Sequence, residues 1–98
     1  MVELQYGVKA KVWEEIRRLA ADYDVQRLIL FGSRARGDYR PRSDIDLAYS
    51  GGRSGFGPAV DEETSTLLMF DVVDLDRPID DTVRESIARE GILLYEKV

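Results

Sequence analysis

The apolar residues of this chain change period several times, and each period predicts an element. Over residues 7–23, Val8, Val12, Ile16, Leu19, Ala20 and Tyr23 recur at three- and four-residue steps, with Lys9, Glu15, Arg17 and Arg18 on the other side. That spacing predicts an amphipathic helix, closed by Asp22 and Asp24. Trp13 widens the apolar stripe and reads as a core anchor, not as a platform for base stacking. Residues 25–31 follow as a strand whose end, Leu28-Ile29-Leu30-Phe31, is continuously apolar, as expected of a central strand covered on both faces. A short helical turn and a loop are predicted over residues 34–43, where Gly37 and Pro41 bar a long helix. Residues 44–49 alternate, with Asp44, Asp46 and Ala48 on one face and Ile45, Leu47 and Tyr49 on the other, as in a second strand. Residues 50–58 carry four glycines and read as a flexible loop with room to move over a site. Residues 61–68 fit no single pattern: Asp61-Glu62-Glu63 suits a helix start, while Thr64, Ser65 and Thr66 weaken a helix. A third strand is predicted over 67–75, ended by Arg77-Pro78. Thr82-Val83-Arg84-Glu85 has the form of a capping box and predicts a helix running to Glu90 and stopping at Gly91. The apolar piece Ile92-Leu93-Leu94-Tyr95 reads as a final strand or docked tail. The sum is an α/β fold, a small mixed sheet of three to four strands with helices mainly on one face.

Composition narrows what such a fold can do. The 98 residues make one domain (1–98) with a single modest core. There is no cysteine and no histidine, which excludes disulfides, thiolate or imidazole metal sites, and cysteine or histidine catalysis. No secretory signal or bilayer-spanning stretch is evident, and a cytoplasmic location is expected. A net charge of −5 argues against direct nucleic-acid binding, which draws on clustered Lys and Arg. The charge is uneven. Arg34, Arg36, Arg40 and Arg42 face a single acid, Asp38, within residues 34–42, whereas residues 61–81 hold eight acids against Arg77. A basic patch beside an acidic cluster suits an anionic substrate delivered to bound cations.

The candidate chemistry lies in residues 32–46. Gly32-Ser33 directly follows the apolar strand, and ten residues separate it from Asp44-Ile45-Asp46. A Gly-Ser turn at a strand end can present backbone N–H groups to a phosphate. Two aspartates sharing one strand face are costly unless that face opens to water or metal. Together they are what nucleotidyl transfer from an NTP requires: a grip on the β- and γ-phosphates and hard oxygen ligands for two Mg²⁺ ions. A third carboxylate usually completes such a site, and Phe70-Asp71-Val72-Val73-Asp74-Leu75-Asp76 offers candidates. Strand parity opposes Asp71 to Asp74 and does not itself choose between them. Asp71 is favoured because it sits in the apolar part of the strand, whereas Asp74 and Asp76 approach a turn where aspartate is ordinary.

Gly32-Ser33, the ten-residue gap, Asp44-x-Asp46, the Asp71-Val-Val-Asp-Leu-Asp strand and the Ile87–Tyr95 ending together resemble the minimal nucleotidyltransferases (MNT) of the DNA polymerase β superfamily. The resemblance spans nearly the whole chain and implies catalytic, Mg²⁺-binding roles for Asp44, Asp46 and Asp71. It implies phosphate contacts from Gly32 and Ser33, and a phosphate or partner contact from Arg36, with Arg34 the weaker candidate. MNT proteins of toxin–antitoxin pairs act as antitoxins to a HEPN-domain RNase toxin and transfer AMP from ATP to its tyrosine. The chain departs from the family between Ala48 and Phe70, which leaves the wall of the nucleotide pocket, and hence the preferred NTP, undefined; the acceptor residue is likewise not given by the sequence. Larger relatives carry a helical domain for which this chain has no counterpart, so a homo- or hetero-oligomer is expected to complete the site. Two other functions fit the residues: a non-catalytic module that neutralises a partner by occlusion, and nucleotidylation of a small molecule.

Overall fold

A computed structural model describes residues 3–98. The strands β3 (Arg27–Phe31), β4 (Ile45–Ser50), β5 (Phe70–Asp74) and β6 (Ile92–Glu96) form one sheet in the order β5-β4-β3-β6. β3 is antiparallel to both β4 and β6, whereas β4 and β5 run parallel, so the sheet is mixed. α1 (Ala10–Asp22) and α3 (Phe56–Glu63) cover one face, where Trp13, Ile16, Leu28, Leu30, Leu47 and Phe56 form the main core. α4 (Asp81–Glu90) covers the other through Ile87, which meets Ile29, Phe31 and Ala48 in a smaller cluster. Leu28–Phe31 is buried throughout because β3 is central and sandwiched. The α/β architecture, the mixed sheet and the bias of helices to one face match the expectation.

Several boundaries differ. The first helix begins at Ala10, three residues later than its apolar period suggests, because Leu4–Gln5 (β1) and Val8–Lys9 (β2) pair as a hairpin ahead of it. Tyr6 and Gly7 take positive φ to make the turn. Trp13 Nε1 then donates to the Gln5 carbonyl at 2.7 Å, tying the hairpin to a ring that is otherwise fully buried. The glycine-rich stretch is not wholly a loop. Phe56, Ala59 and Val60 are buried at i, i+3 and i+4, and Phe56 meets the Tyr49 ring edge-on with centroids 5.0 Å apart. That packing outweighs the poor helix propensity of Gly57, and Pro58 is tolerated because its missing N–H lies in the first turn. Asp61-Glu62-Glu63 therefore closes α3, in a stretch that the sequence pattern left ambiguous. The third strand is shorter than its apolar run, and Leu67 is fully exposed. The capping box does not form, since α4 starts at Asp81 with Asp80 as its cap and no side-chain capping bond.

Gly91 ends α4 as expected, though not through left-handed backbone: its φ is −63°. A Cβ there would strike the Ile87 carbonyl and lie 2.7 Å from Ile29 Cγ2. Gly91→Ala is therefore expected to lower stability by about 1–3 kcal/mol, because the helix end and the central strand must separate to admit the methyl. Urea denaturation measures it, and an unchanged midpoint would contradict this packing.

Candidate active site

β3 delivers the chain to Gly32, whose φ of +77° turns it into the single-turn helix α2 (Ser33–Arg36). Phe31 pairs directly with Asp46 across the antiparallel β3–β4 ladder. The two halves of the sequence motif thus meet in space. The contact is close enough that a Cβ on Gly32 would collide with Asp46 Oδ2. Only glycine suits both this backbone and this approach. Gly32→Ala is expected to displace the Asp46 carboxylate and reduce turnover by at least about 100-fold, by analogy with the effect of an ångström-scale misplacement of reacting groups. Kinetics on the folded variant test it, and near-native turnover would exclude the contact as important.

The ten-residue gap is held by Arg34. This guanidinium is 1 % exposed and donates to three carbonyls: Nη1 to Tyr6 at 2.9 Å, Nη2 to Pro41 at 3.2 Å, and Nη2 and Nε to Ser43 at 2.8 and 3.2 Å. Its Cζ lies 5.0 Å from the Tyr39 ring centroid. Burial pushes its pKa down, opposed by Tyr39 and Asp46. Arg34 thus fastens the hairpin turn and the loop before Asp44 to α2. All its directed hydrogen bonds go to carbonyl oxygens of the chain, so the weaker candidate for phosphate contact is a structural residue.

Arg36 is half-exposed and bonded to Asp38 Oδ2 at 3.2 Å and Glu90 Oε2 at 2.8 Å. The Glu90 side chain is only 9 % exposed and also accepts from Ser86 Oγ. Sequence reasoning passed over Glu90, although a signal existed: a carboxylate in the last turn of a helix opposes the helix dipole and needs a partner.

Asp44 is exposed and precedes β4; Asp46 is partly buried within it. Parallel register sets Asp71 directly beside Asp46. Their shared face is also that of Ala48 and Val73, whereas Asp74 points to the other side of β5. Asp74 and Asp76 are occupied in a turn: Asp74 Oδ1 accepts from the Asp76 N–H at 2.9 Å, and Asp76 Oδ2 from the Gly51 N–H at 2.7 Å. Burial, then the charges of Asp71 and Asp44, push the Asp46 carboxyl up to about 6, while Arg36 pulls it down. Among the described residues no group of three or more acidic, histidine or cysteine side chains is disposed to hold a metal by itself. Mg²⁺ makes a different demand: it keeps waters and takes one or two carboxylates plus phosphate oxygens. A carboxylate raised by burial and by its acidic neighbours, with Asp44 two residues before it and Asp71 beside it in register, fits that donor set.

The polymerase β nucleotidyltransferase family matches residues 14–98. No curated protein matches the chain. Among solved structures, a toxin–antitoxin complex with AMP-PNP superposes with a TM-score of 0.69 at 22% identity, over 87% of this chain and 73% of that one. A mutant of the toxin–antitoxin MntA-HpeT gives 0.68 at 20% identity, over 87% and 73%. A protein of Sulfolobus solfataricus provisionally assigned as a nucleotidyltransferase gives 0.53 at 21% identity, over 87% and 77%. These likenesses agree in fold with the family match, whose span includes Gly32-Ser33 and all three aspartates of the row. The chain belongs to the polymerase β nucleotidyltransferase family.

Proposed function

We propose that the chain transfers AMP from ATP to a tyrosine hydroxyl of a HEPN-type toxin and so acts as its antitoxin. The observation that carries this reading is Asp46, set beside Asp71 by parallel register and against Gly32 at the end of the β3–β4 ladder, with Asp44 two residues before it. Two structural neighbours support its finer part. One is a toxin–antitoxin complex with the ATP analogue AMP-PNP, and the other carries glutamate for aspartate at two positions spaced as Asp44 and Asp46 are.

Asp44, Asp46 and Asp71 would hold Mg²⁺, two ions with the triphosphate as co-ligand; bound there, it supplies charge neutralisation at the α-phosphate and a lowered pKa for the accepting hydroxyl. The missing Gly32 side chain admits the Asp46 carboxylate to the strand end, and the Gly32 backbone with the Ser33 hydroxyl and N–H would contact phosphate oxygens. Arg36, anchored by Glu90, keeps a positive charge near Asp46. The acceptor oxygen bonds to the α-phosphorus as the bond to the bridging oxygen breaks and pyrophosphate leaves. With no histidine in the chain, the hydroxyl proton would go to a carboxylate, the role we assign to exposed Asp71. The chain acts as one minimal catalytic unit in the cytoplasm, and its partner completes the nucleotide pocket.

Incubation with α-labelled ATP, Mg²⁺ and the protein encoded beside it should label that protein, and Asp44→Asn/Asp46→Asn should not. No labelling, or labelling undiminished in the variant, sinks the proposal. A second reading, neutralisation by occlusion, is favoured by the exposed Leu67 and Met69, which suit a standing complex. Protection of cells by the double variant would establish it.

A further inference from the structure

The end of the sheet that carries Asp44 and Asp71 also adjoins a groove of about 850 Å³. The β1–β2 hairpin and the start of α1 form one wall, and residues 65–69 form the other. Its surface is unusual in two ways. Three aliphatic side chains stand exposed there: Leu67 fully, Met69 at 66% and Leu4 at 60%. Lys9, Lys11 and Arg42 line it, and no acidic side chain does, in a chain with 19 acids against 14 bases. Among the described residues none of these three cations is engaged in an ion pair. An apolar groove with unpaired positive charge, on an acidic protein, calls for an occupant of opposite charge.

The chemistry of the lining selects among occupants. It has no aromatic ring on which a base could stack. A concave surface does not suit a bilayer, which is entered by protruding apolar side chains. Aliphatic anchors with ammonium and guanidinium groups beside them match an acidic, amphipathic polypeptide segment. Position adds a reason. Arg42 lies two residues before Asp44 and Met69 two before Asp71, and the Ile45 N–H donates to the Met69 carbonyl at 2.9 Å. Two extended residues span about 7 Å, so a chain seated in the groove ends close to the acid row. The hairpin wall precedes residue 14, where the family match begins.

We propose that this groove seats an acidic, apolar segment of the protein that accepts the nucleotide, and holds that protein beside the acid row. The identity of the occupant rests on the nucleotidyl-transfer reading above; the binding itself does not require catalysis.

The probe is a fluorescein-labelled helical peptide with leucines on one face and glutamates on the other, and its lysine-for-glutamate counterpart is the control. Fluorescence anisotropy should show saturable binding of the acidic peptide alone, weakened by salt. Affinity should fall about tenfold or more in Lys9→Glu/Lys11→Glu and in Leu67→Ser, the scale of losing an interface anchor. These side chains are exposed, so the variants should fold, as circular dichroism would verify. Asp44→Asn/Asp46→Asn should bind the peptide like the native chain. Peptide binding without any nucleotidyl transfer would remove the catalytic reading and keep the groove. Absence of saturable binding, equal binding of both peptides, or equal affinity across the groove variants overturns the proposal. So would a native dimer that Leu67→Ser converts to monomer in sedimentation velocity, or retention on phosphatidylglycerol vesicles that the groove variants abolish.

Discussion

Asparagine in place of Asp46 is expected to give a protein that melts at a higher temperature than the native chain at pH 7 without divalent cations, yet has lost nearly all nucleotidyl transfer. The expectation follows from the direction of the Asp46 shift. Its carboxyl is raised from 3.8 to about 6 by burial and by Asp71 and Asp44, so between those values the folded chain binds a proton that the unfolded chain releases. Stability therefore falls as pH rises from about 4 to about 6 and stays reduced above it, because Asp46 is then charged in the fold against its surroundings. With solvent screening at this partly exposed position, that penalty amounts to roughly 1–2 kcal/mol. Asparagine removes it and should raise Tm by about 4 °C or more at neutral pH. At pH 4 the gain should vanish. Mg²⁺ should raise Tm of the native chain and leave Asp46→Asn nearly unmoved, since a ligand stabilises only the fold that binds it. Transfer should fall by at least about 1000-fold, as expected when charge stabilisation at a reacting phosphate is lost. A variant less stable than the native chain at pH 7, or one equally responsive to Mg²⁺, would remove Asp46 from the proposed site.

Arg34 presents the opposite case, a charged residue whose loss should strongly destabilise the protein. Arg34→Met removes a buried guanidinium that satisfies the carbonyls of Tyr6, Pro41 and Ser43. Hydrogen bonds from charged donors contribute about 1.5–3 kcal/mol each, and the abandoned acceptors carry a desolvation penalty. A net loss of about 3–5 kcal/mol is expected, a large part of the stability of a domain this size. Arg34→Lys should lose most of it as well, since one ammonium cannot reproduce a planar fork that reaches three carbonyls. Thermal denaturation measures both. If Arg34 instead gripped phosphate, Arg34→Lys would melt like the native chain and weaken only nucleotide binding.

The contrast between these residues shows which parts of the site were legible. Gly32-Ser33 and Asp44-x-Asp46 lie in one stretch, so local pattern sufficed to find them, although the strand expected from Asp44 begins at Ile45. Asp71 could be favoured but not chosen, because parity says which residues share a face and not which face meets β4. Parallel register with Asp46 supplied that. Arg34 and Arg36 are indistinguishable in composition and differ in fate. The first is enclosed by a hairpin and loop that no local pattern joins; the second reaches Glu90 across 54 residues. Helix α3 was hidden by its glycines because its stability comes from Phe56 in the core and not from propensity.

By itself the sequence determined the α/β class, the central buried strand and the succession of α1, β3, β4, β5 and α4, all of which follow from short-range period and residue type. Only the tertiary structure decided that Asp46 faces Asp71, that Arg34 is a clamp and Arg36 is held by Glu90, and that a basic, apolar groove adjoins the acid row. Each of these depends on which distant segments meet, and burial and charge interaction act through space, where sequence separation carries no information.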